Sequence, residues 1–159
     1  MNEEKLHINR LAIIGVGLIG GSLAMALRNA GVVEHITGCG RGVANLQKAV
    51  ELGVIDDYTH DVGEAVKSAN VVFVAVPLGA MKAVFQQMKN HLPDDVIVTD
   101  GGSAKASVVA YLREAVGGMP SWFVPGHPIA GTEKNGVEAS FAELYQNRRV
   151  ILTPVSQTD

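Results

Sequence analysis

The chain has 159 residues, 47% of them hydrophobic and 18% charged, a globular composition that excludes an intrinsically disordered polymer. Its formal net charge of -3 leaves no basic footprint for nucleic acid and no polybasic patch for a membrane surface. The single cysteine, Cys39, excludes an intrachain disulfide and a cysteine-cluster metal site, and it fits a reducing, cytoplasmic setting.

The apolar run at residues 10–14 predicts a strand, and residues 18–30 predict a helix stopped by Gly31. Together they make an uncharged stretch, residues 11–27, that resembles a signal peptide or a membrane span. Four glycines interrupt it, it is slightly short for a span, and no cleavage site follows. A strand over 35–39 comes next, then a helix over 43–52 ended by Gly53. Residues 57–59 predict a short third strand. Asp61 with Glu64 makes a capping-box-like start for a helix over 62–68. "VVFVAV", residues 71–76, is the near-continuous apolar run of a strand buried on both faces. A helix over 80–91, a strand over 96–99, a helix over 104–116 and strands over 122–124 and 150–153 complete the chain. This alternation predicts an α/β, Rossmann-type, doubly wound and mostly parallel sheet with helices on both faces. Residues 1–159 read as one domain, and the ending just after a strand is expected where more protein follows.

The first strand runs into "GVGLIGGS", which holds Gly15-x-Gly17-x-x-Gly20. Such a loop between a strand and a helix is the fingerprint of dinucleotide binding. Gly15 permits the tight turn, Gly17 lets a pyrophosphate approach the backbone, and Gly20 lets helix and strand pack closely. The helix N-terminus at Leu18, Ile19 and Gly20 presents N–H groups to the anion. About twenty residues further on, NAD-binding folds carry an acid for the ribose 2′-hydroxyl. Here Gly40 occupies that place and Arg41 follows. A guanidinium there can pair with a 2′-phosphate, so the reading leans to NADP over NAD. Stacking on adenine, or plain solvation, remains open for Arg41.

In such sheets ligands sit beyond the carboxyl ends of the strands, and three ends stand out. Val76 and Pro77 end the buried strand and can wall the cofactor, although Pro77 is equally a simple strand stop. "TDGGSAK" follows the next strand. Its Ser103 reads either as a helix N-cap or as a hydroxyl for a ligand, and Lys105 either holds a carboxylate or is solvated. "GHPIAGTE" is the third, with His127 held between Gly126 and Pro128. Histidine titrates near neutrality and suits proton abstraction from an alcohol, so His127 is the candidate base, against the alternative of a packed turn residue. His7, His35, His60 and His91 fall on an arm, a strand start, a loop and a helix end, and no metal site is expected.

The set "IIGVGLIGGSLAMAL", "GVID", "VAVPLGAM", "TDGGSAK" and "GHPIAGTEKNGVEAS" resembles prephenate dehydrogenases, also called cyclohexadienyl or arogenate dehydrogenases, over residues 10–154. The resemblance implies oxidative decarboxylation of prephenate or arogenate with NAD or NADP, in tyrosine biosynthesis. It implies that His127 bonds the ring 4-hydroxyl and assists its deprotonation, with Ser103 nearby. It places Thr132 and Glu133 near the substrate entrance. It also implies a helical C-terminal domain that supplies a substrate-binding arginine and a homodimer interface, absent from these residues, so little turnover is expected of them alone. Tyrosine as an inhibitor is left open. The competing readings are a β-hydroxyacid dehydrogenase or pyrroline carboxylate reductase, and a dinucleotide-binding module without chemistry.

Overall fold

Successive side chains of a strand point to opposite faces of a sheet, and in β1 (Ile8–Ile14) both sets are apolar from Leu11 onward. Leu11 and Ile13 enter one core while Ala12 and Ile14 enter the other, and all four are buried. A strand of this kind has to lie inside a sheet covered on both sides. The computed structural model describes residues 4–129, 136–154, 156 and 158, and it shows that arrangement. Six parallel strands are ordered β3-β2-β1-β4-β5-β6. The other strands of the sheet are β2 (Val33–Cys39), β3 (Asp57–Thr59), β4 (Val71–Val74), β5 (Ile97–Asp100) and β6 (Phe123–Val124), with β2 and β4 flanking β1.

Helices α1 (Leu18–Asn29) and α2 (Val43–Glu51) close one face, through Ala24, Leu46 and Ala49. The other face is closed by α3 (Val62–Val66), α4 (Leu78–Met88) and α5 (Lys105–Val116), through Val66, Phe85 and Leu112. There Phe85 meets Phe123 edge-on, with ring centroids 5.6 Å apart, a favoured aromatic geometry. The strand order reverses direction between β1 and β4, which places the ligand crevice of such a fold at their carboxyl ends. The ends are level: Ile14 lies opposite Cys39 and Val74, and Val74 lies opposite Asp100.

The predicted doubly wound sheet is therefore the observed one, with three local corrections. The strand expected over 71–76 stops at Val74, where pairing with Ile14 and Asp100 ends, and Pro77 then starts α4 two residues earlier than expected. The helix expected from position 104 begins at Lys105. Ala104 holds its N-cap position without a side-chain bond, so Ser103 does not cap it. The last strand, β8 (Arg149–Leu152), does not extend the parallel sheet. It pairs antiparallel with β7 (Gly126–Ile129), with His127 opposite Ile151. Pro125 has no N–H to continue the ladder of β6, so the chain leaves the large sheet and forms this second, two-stranded one.

Close packing of α1 on β1 rests on Gly20, where a Cβ would lie 2.2 Å from the Gly15 carbonyl oxygen and 2.8 Å from Ile13. Overpacking of this sort costs roughly 1–3 kcal/mol. Gly20→Ala is expected to lower the urea midpoint by a corresponding amount without changing the slope of the transition.

Candidate active site

The carboxyl ends of β1, β2 and β4 open onto a cleft of about 720 Å³. The turn out of β1 forms its floor. Gly15 has φ +97°, and a Cβ there would sit 2.5 Å from the Ala75 carbonyl oxygen, so only glycine fits between β1 and the end of β4. Position 17 shows the reverse: a Cβ at Gly17 would meet nothing within 4 Å. The space in front of the helix is open. α1 begins at Leu18 with no side-chain cap and no acid in its first turn, so its leading N–H groups and the positive end of its dipole are available to an anion. These residues fit the pyrophosphate of a dinucleotide. Leu18 and Ile19 contribute backbone only. The Leu18 side chain is buried, and the Ile19 carbonyl accepts a 2.9 Å hydrogen bond from the Tyr145 hydroxyl. Val76 and Pro77 line the cleft.

Beyond β2 the lining changes from backbone to side chains. Gly40, Arg41, Asn45 and His60 lie there, and among the described residues the cleft has no aspartate or glutamate. Asn45 ties three pieces of chain together. Its Nδ2 donates to the Val16 carbonyl at 2.6 Å, and its Oδ1 accepts the Val137 N–H at 3.0 Å. Two short 3-10 turns, Val137–Ala139 and Ala142–Tyr145, are held against α1 in this way, with the Phe141 N–H donating to Ser22 Oγ at 3.0 Å. Nothing in the sequence singled out Asn45 or Tyr145, because their partners lie 29, 92 and 126 positions away. Cys39 also lines the cleft, and burial together with the Asp61 carboxylate raises its thiol to about 11.

The next strand end carries a buried charge. The Asp100 side chain is wholly inaccessible. Its Oδ2 accepts the Gly102 N–H at 2.9 Å and the Lys105 ammonium, and its Oδ1 accepts the Gly126 N–H at 3.0 Å. Lys105 Nζ also donates to the Gly126 carbonyl at 2.5 Å. Lys105 thus holds a carboxylate, and it is the protein's own. Both polar groups of the Gly126 backbone are fastened to β5 and α5, and His127 follows directly. The His127 side chain is half-buried and the Ser103 hydroxyl is exposed. Neither lines the cleft itself; they belong to the strand ends beside it. Thr132 and Glu133 lie outside the described residues. Among the described residues no helix is long and apolar enough to cross a membrane. None of them form a group of three or more His, Cys, Asp or Glu side chains suited to a metal ion.

Comparison with known proteins bears on this geometry. The family described as "Prephenate dehydrogenase, nucleotide-binding domain" matches residues 23–159. The chain belongs to the prephenate dehydrogenase family. A cyclohexadienyl dehydrogenase of Zymomonas mobilis is 42% identical over 151 residues, which cover 93% of this chain and 50% of that protein. A crystal structure of prephenate dehydrogenase from A. aeolicus, in complex with hydroxyphenyl propionate and NAD+, superposes with a TM-score of 0.88 at 38% identity. It covers 98% of this chain and 54% of that one. Synechocystis arogenate dehydrogenase gives a TM-score of 0.84 at 31% identity, covering 94% and 51%. The chain spans about half the length of these relatives. A pyrroline carboxylate reductase at 19% identity and TM-score 0.61 shares the fold alone.

Two measurements test the site. Removing one partner of a buried ion pair costs roughly 3–5 kcal/mol, so Lys105→Met is expected to destabilise the domain on that scale in urea. Combined with Asp100→Asn it should lose clearly less than the sum of the single changes. The raised Cys39 thiol keeps little thiolate at pH 8. Its alkylation by iodoacetamide is expected to run at least about 100-fold slower than that of a free cysteine of ordinary pKa near 8.5, and to accelerate as pH approaches 11.

Proposed function

We propose that this chain is the dinucleotide-binding and proton-accepting part of an NAD(P)-dependent dehydrogenase that oxidatively decarboxylates prephenate or arogenate in tyrosine biosynthesis. The observation that carries the reading is the attachment of Gly126 to Asp100 and Lys105. It fixes the residue before His127 to the carboxyl end of β5 and the first turn of α5. Family membership supplies the substrate class, and the remainder of the pocket is taken to come from a helical second domain that also forms a dimer.

In this reading the Gly15–Gly17 turn and the N–H groups of Leu18, Ile19 and Gly20 hold the pyrophosphate. The nicotinamide, when bound, supplies the hydride acceptor. His127 accepts the proton of the ring 4-hydroxyl while the hydrogen on the same carbon departs with its electron pair. The carboxylate on the opposite ring carbon then leaves as carbon dioxide. The electrons of that bond complete the aromatic ring, and the ring oxygen regains a proton. The exposed Ser103 hydroxyl hydrogen-bonds the same ring oxygen in this reading. NADP is accepted as well as NAD. A carboxylate in the cleft would repel a 2′-phosphate, and the described lining has none, while Arg41 is exposed there.

General base catalysis contributes roughly 10²–10⁴-fold. His127→Asn in the enzyme is therefore expected to lower kcat with prephenate by that factor while coenzyme affinity stays within twofold. An unchanged kcat would remove His127 from the mechanism.

A further inference from the structure

The adenosine end of the cleft holds an ionisable group that the reading above leaves unused. His60 follows β3, and its ring Nδ1 lies 2.7 Å from the carbonyl oxygen of Gly40. Gly40 is the residue that stands in the place of the usual ribose-binding acid. A carbonyl oxygen only accepts, so Nδ1 carries the hydrogen. In the neutral ring Nε2 is then an acceptor, and in the charged ring it is a second donor. The Tyr58 ring supports the imidazole edge-on at 5.8 Å. The ring is exposed and lines the same cleft as Arg41.

The surrounding charges are few. Arg41 lies on the turn after β2, and Asp61 and Glu64 start α3. The Asp61 carboxylate accepts the Glu64 N–H, and Glu64 pairs with Lys67. The polar side chains that α2 and α4 give the cleft, Asn45 and Gln87, are neutral. Cys39 stays protonated at neutral pH. Arg41 and His60 are thus the side chains of the described lining that can present positive charge, and only His60 switches it on and off within the pH 5–8 range of histidine.

We propose that His60 is a proton-dependent coenzyme selector. Neutral, its Nε2 accepts the ribose 2′-hydroxyl of NAD; protonated, the same atom donates to the 2′-phosphate of NADP beside Arg41. The proposal rests on the dinucleotide reading of the cleft, with the adenosine ribose at Gly40 and Arg41. It predicts that the coenzyme preference of one unchanged sequence moves with pH.

The test is titration of this chain with NADP+ and with NAD+ by calorimetry between pH 8 and pH 6.5, for the native sequence and for His60→Asn. Asparagine keeps a donor near Nδ1 for the Gly40 carbonyl and removes Nε2. The exposed position leaves the core untouched. In the native chain the affinity for NADP+ should rise about tenfold over that interval, as the binding-competent charged ring becomes populated, with proton uptake on binding. NAD+ affinity should stay level or fall slightly. In His60→Asn the rise and the proton uptake should vanish, while NAD+ binding weakens by roughly two- to tenfold through loss of one hydrogen bond. The second ionisation of a phosphate ester lies near pH 6, so the ligand by itself produces no rise on acidification. An NADP+ slope that survives in His60→Asn, or a native chain whose coenzyme ratio is flat with pH, overturns the selector while leaving the dinucleotide site intact. Failure of both coenzymes to bind at any pH overturns the dinucleotide reading and the selector with it.

Discussion

A buried carboxylate at the end of β5 holds the β5–α5 turn, α5 and β7 together. Burying such a group is costly unless its lone pairs are filled, and Asp100 fills them with two backbone N–H groups and one ammonium. Those donors come from the β5–α5 turn, the first turn of α5, and the start of β7. Satisfying Asp100 therefore requires all three to meet at one point. Gly126 completes the junction by size as well as by bonding, since a Cβ there would lie 2.8 Å from the Asp100 carbonyl oxygen. His127 departs from that anchored residue. Its proline neighbour restricts the backbone, but the place of the imidazole relative to the sheet comes from the ion pair.

The cleft divides its work between two kinds of recognition. At the phosphate end the contacts are backbone, set by a glycine turn packed against β4 and by the open terminus of α1. Those features follow from the chain path and are indifferent to which coenzyme enters. At the adenosine end the contacts are side chains, and the acid usual in this fold is missing. The exposed groups at that end sit on the loops after β2 and β3. They can change without disturbing the sheet. Asn45 joins the glycine turn to the segment after β7, so the two share one hydrogen-bonded support.

Much of this was legible in the sequence because it depends on short-range pattern. The two-faced apolar strands, the glycine spacing and the alternation of strand with helix each occupy a few consecutive residues. They predict the doubly wound sheet and the dinucleotide cleft with little ambiguity. The misreadings share a cause. Ser103 looked like a cap because a polar residue before a helix is locally favourable, yet the backbone there turns to deliver Gly102 to Asp100. The strand at Arg149–Leu152 looked like another member of the parallel sheet. Strand character is readable in four residues, but the partner and direction are not.

His60 shows the same limit from the other side. Alone it was an ordinary loop histidine, and only the return of β3 beside β2 brings it to Gly40. The sequence by itself determined the fold class, the phosphate-binding turn and the candidacy of His127, since each is a matter of local stereochemistry and hydrophobic period. Only the tertiary structure decided that Asp100 and Lys105 anchor the start of β7, that Asn45 braces the glycine loop, and that His60 shares the cleft with Arg41. These are contacts between residues far apart in the chain. Their positions follow from packing helices on both faces of one sheet, which no local pattern encodes.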